Sequence, residues 1–226
     1  MNAVGLLELD AAILQAAITV LAAGLCFSLY VRFEQRYFAW FGVAWTMYAA
    51  RLGAILAFVV QQDLRWLFWH QVFTGETALA LLWTALVFVR AAQWRRVYWL
   101  AVLFPPLWSY VAIYQLENFL LAAGPAVVFL SAASIATGVM FLRYRLANPS
   151  SGASMLSVTF LLWGLHHLDY PLLRARGAWS PWGYYLDILF LLGACGGILL
   201  LVNHELADEL RLRTAELEHL SRRMVR

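Results

Sequence analysis

Two histidines, a carboxylate and a phenol stand close together within one apolar stretch, in the segment from Trp163 to Tyr170. At helical spacing His166, Asp169 and Tyr170 share one face, and Trp163, His167 and Tyr170 share another. Imidazole and carboxylate on adjacent turns are how helical bundles build metal sites, and facing helices supply the remaining ligands. This chemistry makes His166, His167 and Asp169 candidate ligands of a transition metal ion such as zinc, copper or iron.

Further ionisable residues lie in other apolar stretches and could complete such a site. Glu76 and His70 in the third stretch are candidate metal ligands, and Asp187 in the seventh could supply another. Arg51, in the second stretch, would be the charge partner of the carboxylates. A charged group in hydrocarbon costs about 2.5–3.5 kcal/mol even on lenient insertion scales, so this grouping indicates a shared purpose.

Three other interpretations of these residues stay open. The cavity could take an organic or lipid-like ligand, haem could bind between histidines of two stretches, or the residues could be structural. In the structural case Arg51 pairs with Asp169 or Glu76, and the histidines bond to carbonyl groups and water. Retinal is excluded, because it attaches through a lysine and the chain contains none. For an organic ligand the predicted binding residues are Arg51, Trp163, Tyr170 and Asp187.

The elements that position these residues are seven apolar stretches. Hydrophobic residues make up 63% of the chain and charged ones 13%, well below the roughly 25% charged residues of a soluble domain. A membrane span needs about 20 apolar residues. The predicted fold class is an all-α membrane protein, a seven-transmembrane-helix bundle. We place the spans at residues 9–31, 37–60, 67–90, 97–115, 118–142, 153–173 and 183–202.

The distribution of arginine predicts the orientation, because connections rich in basic residues stay in the cytoplasm. The first, third and fifth connections hold seven arginines, whereas the second, fourth and sixth hold three. We therefore expect the N-terminus outside and the C-terminus in the cytoplasm, as a multi-pass protein of a bacterial inner membrane. In this orientation the seven ionisable candidate residues all fall in the outer half of the bundle.

The chain changes character after the bundle, which covers residues 1–202. Residues 203–226 hold five arginines and five acidic residues, and no glycine or proline follows Gly197. We therefore expect span 7 to continue as a cytoplasmic coiled-coil helix, which would pair with a second copy in a homodimer. The heptad seam consists of Leu210, Leu217 and Met224 at a positions and Leu206 and Leu220 at d positions.

The end of the chain carries a family resemblance. The segment Leu212–Arg226, LRTAELEHLSRRMVR, resembles the signalling helix that precedes the phosphoacceptor helix in sensor histidine kinases of the nitrate-sensor type. The resemblance implies a two-component kinase whose phosphoacceptor domain lies beyond this chain, with a response regulator as its partner. Similar coiled linkers precede diguanylate cyclase domains, so that output stays open.

These features predict the transmembrane sensor module of a signalling histidine kinase. It would detect a small ligand or metal ion among spans 2, 3, 6 and 7 and transmit the signal through span 7. Membrane lipids are expected partners and nucleic acid is not. No HExxH, paired CxxC, phosphate loop or nucleophile elbow occurs in the sequence, so we predict no catalytic site in this chain.

The competing class is a small-solute or metal transporter, or a membrane scaffold protein. A faint internal repeat gives it some support, because transporter folds are often built from parallel repeats. Spans 1–3 and 5–7 would then be repeats around a lone span 4. The residues at matching offsets are Trp45, Tyr48 and Arg51 in span 2 and Trp163, His166 and Asp169 in span 6.

Overall fold

The computed structural model describes the backbone of residues 3–175 and 181–224. It describes their side chains except those of residues 3–6, 119, 169–175, 208, 209, 215 and 218–224. Over these ranges all the regular secondary structure is helical. The helices are α1 Ala3–Phe33, α2 Arg36–Gln61, α3 Leu64–Arg90, α4 Trp99–Tyr110, α5 Phe119–Ala147, α6 Ser151–Ala175 and α7 Trp182–Met224.

Each predicted span coincides with one helical segment, except that residue 118 precedes the start of α5, so the all-helical prediction is confirmed. The fourth span also includes a 3₁₀ turn, Arg96–Tyr98, before α4 and a π-helical turn, Val111–Gln115, after it. Within the described residues, six helical segments are long and apolar enough to cross a membrane. These segments indicate a multi-pass membrane protein, and they comprise α1, α2, α3, residues 96–115, α5 and α7.

Helix α6 is absent from that set although it lies inside the bundle. Two adjacent histidines, His166 and His167, and several serines lower the hydropathy of its described residues. Both histidines are buried, because α6 packs against α5 on one side and α7 on the other. The two histidines of α6 are therefore turned inward, toward the other helices.

Six helices form a closed ring, and α4 lies outside it. Around the ring the packing neighbours are α1, α2, α3, α5, α6 and α7, and α7 packs back against α1. Helix α4 packs mainly on α3, where the ring of Pro105 fills the space beside Gly75 that a Cβ atom would need. The ring encloses the centre of the molecule, where the polar side chains meet.

The connections that follow α2 and α3 are short and turn sharply. The residue that ends α2, Gln62, and the residue that ends α3, Ala91, both have left-handed backbone conformations, with φ of 56° and 46°. Asp63 caps the start of α3 by accepting a hydrogen bond from the Arg65 backbone nitrogen at 2.9 Å. The Arg65 guanidinium bonds to the same carboxylate, and these bonds hold the pKa of Asp63 below its usual value.

The contact between α6 and α7 depends on glycine. A Cβ atom on Gly152 would collide with the backbone nitrogen of Leu201 and come within 2.7 Å of the Gly197 carbonyl oxygen. A Cβ atom on Gly197 would in turn lie 2.7 Å from the Leu156 side chain. The two backbones therefore approach closely, as small residues permit in membrane helices.

Aromatic side chains fill the half of the ring from which the C-terminal part of α7 leaves, which we call the tail end. Trp45 lies 5.6 Å from Trp163 and 6.4 Å from Phe160, measured between ring centroids. Phe41 extends this aromatic cluster toward the tail end and stacks on Phe141 at 6.3 Å. These side chains are fully or almost fully buried, so the ring is closed toward the tail end.

Helix α7 runs through Val202 without a break, as the lack of glycine and proline predicted. Beyond the bundle it exposes apolar side chains: Leu210 is 65% exposed and Leu217 is 67% exposed. Leu206, one turn before Leu210 on the predicted seam, is 39% exposed. The seam is therefore accessible to a partner. The coiled-coil dimer stays a prediction.

Candidate functional site

A cavity of about 440 Å³ opens in the half of the ring opposite the tail end. On α2 its lining runs from Arg51 to Val59, so its long dimension follows the helix axis. The deeper lining is polar and includes Gln15 and Asp187, whereas the upper walls are apolar side chains. These apolar residues are Ile55, Phe58, Val59, Leu67, Ala123 and Val127.

Asp187 on α7 is the hydrogen-bonding centre of the cavity floor. Its Oδ1 accepts from Trp163 Nε1 on α6 at 2.7 Å. Its Oδ2 accepts from the Tyr48 hydroxyl on α2 at 2.8 Å and from Gln15 Nε2 on α1 at 3.0 Å. One carboxylate on α7 is therefore bonded to three other helices of the ring, and neutral donors solvate its charge.

The histidines surround this carboxylate at larger distances. His166 Nε2 lies 3.9 Å from Asp187 Oδ1, and the rings of His166 and His167 are 6.2 Å apart. The His167 ring also packs on Trp163 at 5.1 Å. Across the cavity, His70 Nδ1 lies 3.1 Å from the carbonyl oxygen of Arg51. Because a carbonyl only accepts, His70 carries a proton on Nδ1 and ties α3 to α2.

Arg51 supplies a positive charge next to this network. Its guanidinium carbon lies 4.9 Å from the centroid of the Tyr48 ring, a cation–π distance. Its Nε and NH1 atoms are buried and have no hydrogen-bond partner among the described residues. Two other buried atoms of lining residues also lack a hydrogen-bond partner among the described residues, namely Gln15 Oε1 and His167 Nε2. The cavity therefore holds both donor and acceptor capacity that the described protein groups leave unused.

Most of the candidate residues converge on this cavity. Those that line it are Arg51, His70, His166, His167 and Asp187. Trp163 is fully buried and reaches the floor through its bond to Asp187. Glu76 is half-buried and is not part of the lining. Tyr170 and Asp169 lie outside the described side chains.

The described residues do not assemble a metal centre. Among them, no three histidine, cysteine, aspartate or glutamate side chains are arranged to hold a metal ion. Both oxygens of Asp187 are already bonded to neutral donors. Metal binding and haem binding stay predictions.

Sequence reasoning missed Gln15 as a site residue. It is fully buried in the middle of α1, bonds to both Tyr48 and Asp187, and lines the cavity. A signal was available, because a lone amide within the apolar run from Ala11 to Ala23 is costly to bury unless it has partners. Thr74 on α3 lines the cavity too, but its hydroxyl bonds to the His70 carbonyl oxygen within its own helix.

Comparisons of the chain with protein families, with characterised proteins and with solved structures find no match. The function must therefore be argued from the cavity and from the helix that leaves it.

Proposed function

We propose that the chain is the transmembrane sensor module of a bacterial two-component histidine kinase and that the cavity binds its stimulus. The observation that carries the proposal is the position of Asp187. The carboxylate that organises the cavity floor belongs to α7, the helix that continues beyond the bundle as an exposed, leucine-spaced segment. A change in the cavity thus acts directly on the element that would reach an output domain.

The hydrogen bonds of Asp187 suggest how a ligand could shift α7. They tie α7 to α1, α2 and α6. A ligand that engages the unused groups of Gln15, Arg51 or His167 would alter these bonds. A ligand shifts a conformational equilibrium only by its difference in affinity for the two states. The rebuilt bonds around Asp187 would supply that difference.

The topology proposed with this function has seven spans, with the N-terminus outside the inner membrane. Helix α6 lies between α5 and α7 in the ring, and its backbone groups are bonded within the helix, as a bilayer requires. The excess of arginine in the first, third and fifth connections supports a cytoplasmic tail end. The cavity then faces the periplasmic side.

The proposal is tested by joining the chain after Arg226, in heptad register, to a histidine kinase core. The fusion is placed in nanodiscs and its autophosphorylation is measured. Replacing Asp187→Asn removes the charge that three helices share, and we expect kinase activity to change by at least about fivefold, the lower range of allosteric coupling. The control is Asp63→Asn, a carboxylate in the α2–α3 connection that bonds only to Arg65 among the described residues.

Equal activities of the two variants, with Asp187→Asn still folded, would contradict signalling from the cavity. The coding sequence beyond Arg226 gives a second check. We expect it to continue into a phosphoacceptor helix. A diguanylate cyclase domain there would keep the sensor and change the output.

A small-solute transporter is the second candidate, because the ring order is compatible with two three-helix repeats. The two functions differ in access to the cavity. In a variant with Cys26 and Cys195 replaced by Ala, Thr74→Cys places one thiol in the cavity. A receptor whose tail end stays closed by the aromatic cluster is labelled by an impermeant thiol reagent from one side only. Labelling from both sides would favour transport.

A further inference from the structure

We infer that the cavity is built for an acyl-chain amphiphile with an anionic head, held by Arg51 with its chain toward Phe58 and Val59. This inference rests on the proposed sensing function for its purpose and names the class of stimulus. Binding of such a molecule depends only on the cavity, so it can be tested separately.

The distribution of polarity along the cavity sets the shape of the ligand. At the floor, Arg51, Gln15 and His167 present buried polar atoms without partners among the described residues. Arg51 and Val59 are two turns apart on α2, about 12 Å along a helix. Over that distance the lining changes to mainly aliphatic and aromatic side chains, and it also includes the phenol of Tyr184 on α7. A polar head and an apolar chain in one molecule match this gradient, and the volume of about 440 Å³ suits a small organic ligand.

The charge of the head follows from the state of the two charged groups at the floor. Asp187 is solvated by three donors, from Trp163, Tyr48 and Gln15, so it has little need of a cation from the ligand. Arg51 faces the ring of Tyr48, and its Nε and NH1 have no described acceptor. A guanidinium cannot lose its proton in a protein. Tyr48 and Asp187 stabilise its charge, but the two buried nitrogen atoms that have no described acceptor are costly to leave unpaired. The atoms that this floor lacks are therefore anionic oxygens.

A second polar contact narrows the head further. Gln15 is fully buried, and its Nε2 donates to Tyr48 and Asp187, which leaves Oε1 as an unused acceptor. A ligand with an N–H or O–H group near its anionic oxygen could satisfy Oε1 while its anion bonds to Arg51. N-decanoylglycine combines a carboxylate, an amide N–H and an apolar chain, so it is a suitable probe.

The experiment measures binding of radiolabelled N-decanoylglycine to the full chain in phosphatidylcholine nanodiscs. The matched ligand is its methyl ester, which keeps the amide and the chain but loses the charge. A hydrogen-bonded charge contributes enough that we expect the acid to bind about 10- to 100-fold more tightly than the ester. Arg51→Gln should remove most of this ratio. Arg65→Gln, which removes an exposed arginine outside the cavity, should preserve it.

Equal affinity for acid and ester, undetectable binding of both, or an undiminished ratio in a folded Arg51→Gln protein would overturn the inference. If Arg51→Gln does not fold, Arg51→Lys keeps the charge and should still bind the acid more tightly than the ester.

Repeating the titration in phosphatidylglycerol nanodiscs separates the two possible sources of an anionic amphiphile, which are the membrane lipid and a free acid. A large loss of apparent affinity there identifies membrane lipid as the occupant, and unchanged affinity identifies a free acid. Failure of binding leaves the kinase test of Asp187 unaffected, so the two proposals can fail separately.

Discussion

At the scale of single residues, the site depends on one carboxylate, Asp187, whose charge is stabilised by hydrogen bonds from neutral donors. Trp163 and Tyr48 supply an indole N–H and a hydroxyl to opposite oxygens of Asp187, and both side chains also belong to the aromatic packing. Hydrogen bonds to charged groups contribute about 1.5–3 kcal/mol each. The polar floor and the aromatic cluster therefore share residues, and a change in one is expected to affect the other.

This sharing predicts the effect of removing the indole donor. Trp163→Phe keeps an aromatic ring but leaves Asp187 Oδ1 short of one donor, and we expect a loss of about 1.5–3 kcal/mol of stability in addition to the change in packing. Thermal unfolding in detergent measures it. The matched control is Trp83→Phe, which removes an N–H that is buried and has no hydrogen-bond partner among the described residues. An equal loss in both variants would show that packing alone explains the effect.

The charged residues near the cavity can be predicted from the sequence, but the direction in which each side chain faces cannot. Ionisable residues are conspicuous in apolar stretches, so Arg51, His70 and Asp187 were identified. Glu76 is a candidate because of its depth in the bundle, but it lies outside the helical spacing of the α3 residues that line the cavity. Those residues are Leu67, His70, Gln71 and Thr74. Position along a helix can be read from the sequence, whereas the face that turns inward depends on tertiary packing.

At the scale of helices, the contact between α6 and α7 is the most constrained part of the ring. Gly152→Ala would bring a Cβ atom onto the α7 backbone, which cannot yield without moving the helix. Overpacking of this kind typically costs about 1–3 kcal/mol, and we expect a lower melting temperature in detergent. Gly24→Ala is the control, because a Cβ atom there meets nothing within 4 Å. It should be neutral or stabilising, since alanine favours helix.

The turn between α3 and α4 offers a stabilising substitution. Ala91 has φ of 46°, a left-handed conformation that costs a non-glycine residue about 1–2 kcal/mol. Ala91→Gly removes this strain, and part of the gain is offset by the greater freedom of glycine in the unfolded chain. We expect a net stabilisation of up to about 1 kcal/mol. The same substitution at Ala57, inside α2, should destabilise the protein, and a similar effect at both sites would contradict this account.

At the scale of the whole molecule, the order of helices in the ring agrees with the internal repeat suggested by the sequence. The neighbours α1, α2 and α3 are followed by α5, α6 and α7, and the ring closes between α7 and α1. A rotation of 180° about an axis through the centre of the ring would exchange these two sets of three helices and leave α4 outside both sets. Trp45 and Trp163, which have matching offsets in α2 and α6, meet at 5.6 Å, as equivalent residues beside a two-fold axis would. The helical segments can be predicted from apolar runs, whereas their order around the ring and the peripheral place of α4 cannot.

The exposed part of α7 predicts assembly into dimers. Leu210→Glu and Leu217→Glu place charges on the predicted seam between two copies and should shift the protein from dimer to monomer. Light scattering of the purified protein in nanodiscs or detergent measures the shift. Leu212→Glu is the control, because Leu212 is 73% exposed but lies at a c position outside the seam. Loss of the dimer in all three variants alike would argue against a heptad interface.

The glycine contact near the middle of α7 also has a mechanical consequence. The close approach of Gly152 to Gly197 can act as a fulcrum for a helix that is otherwise continuous. The arm from Gly197 to Asp187 is about 15 Å long and the arm to Met224 about 40 Å, at 1.5 Å per residue. If α7 pivots at this contact, a sideways movement at the carboxylate reaches the far tip magnified about threefold and reversed in direction.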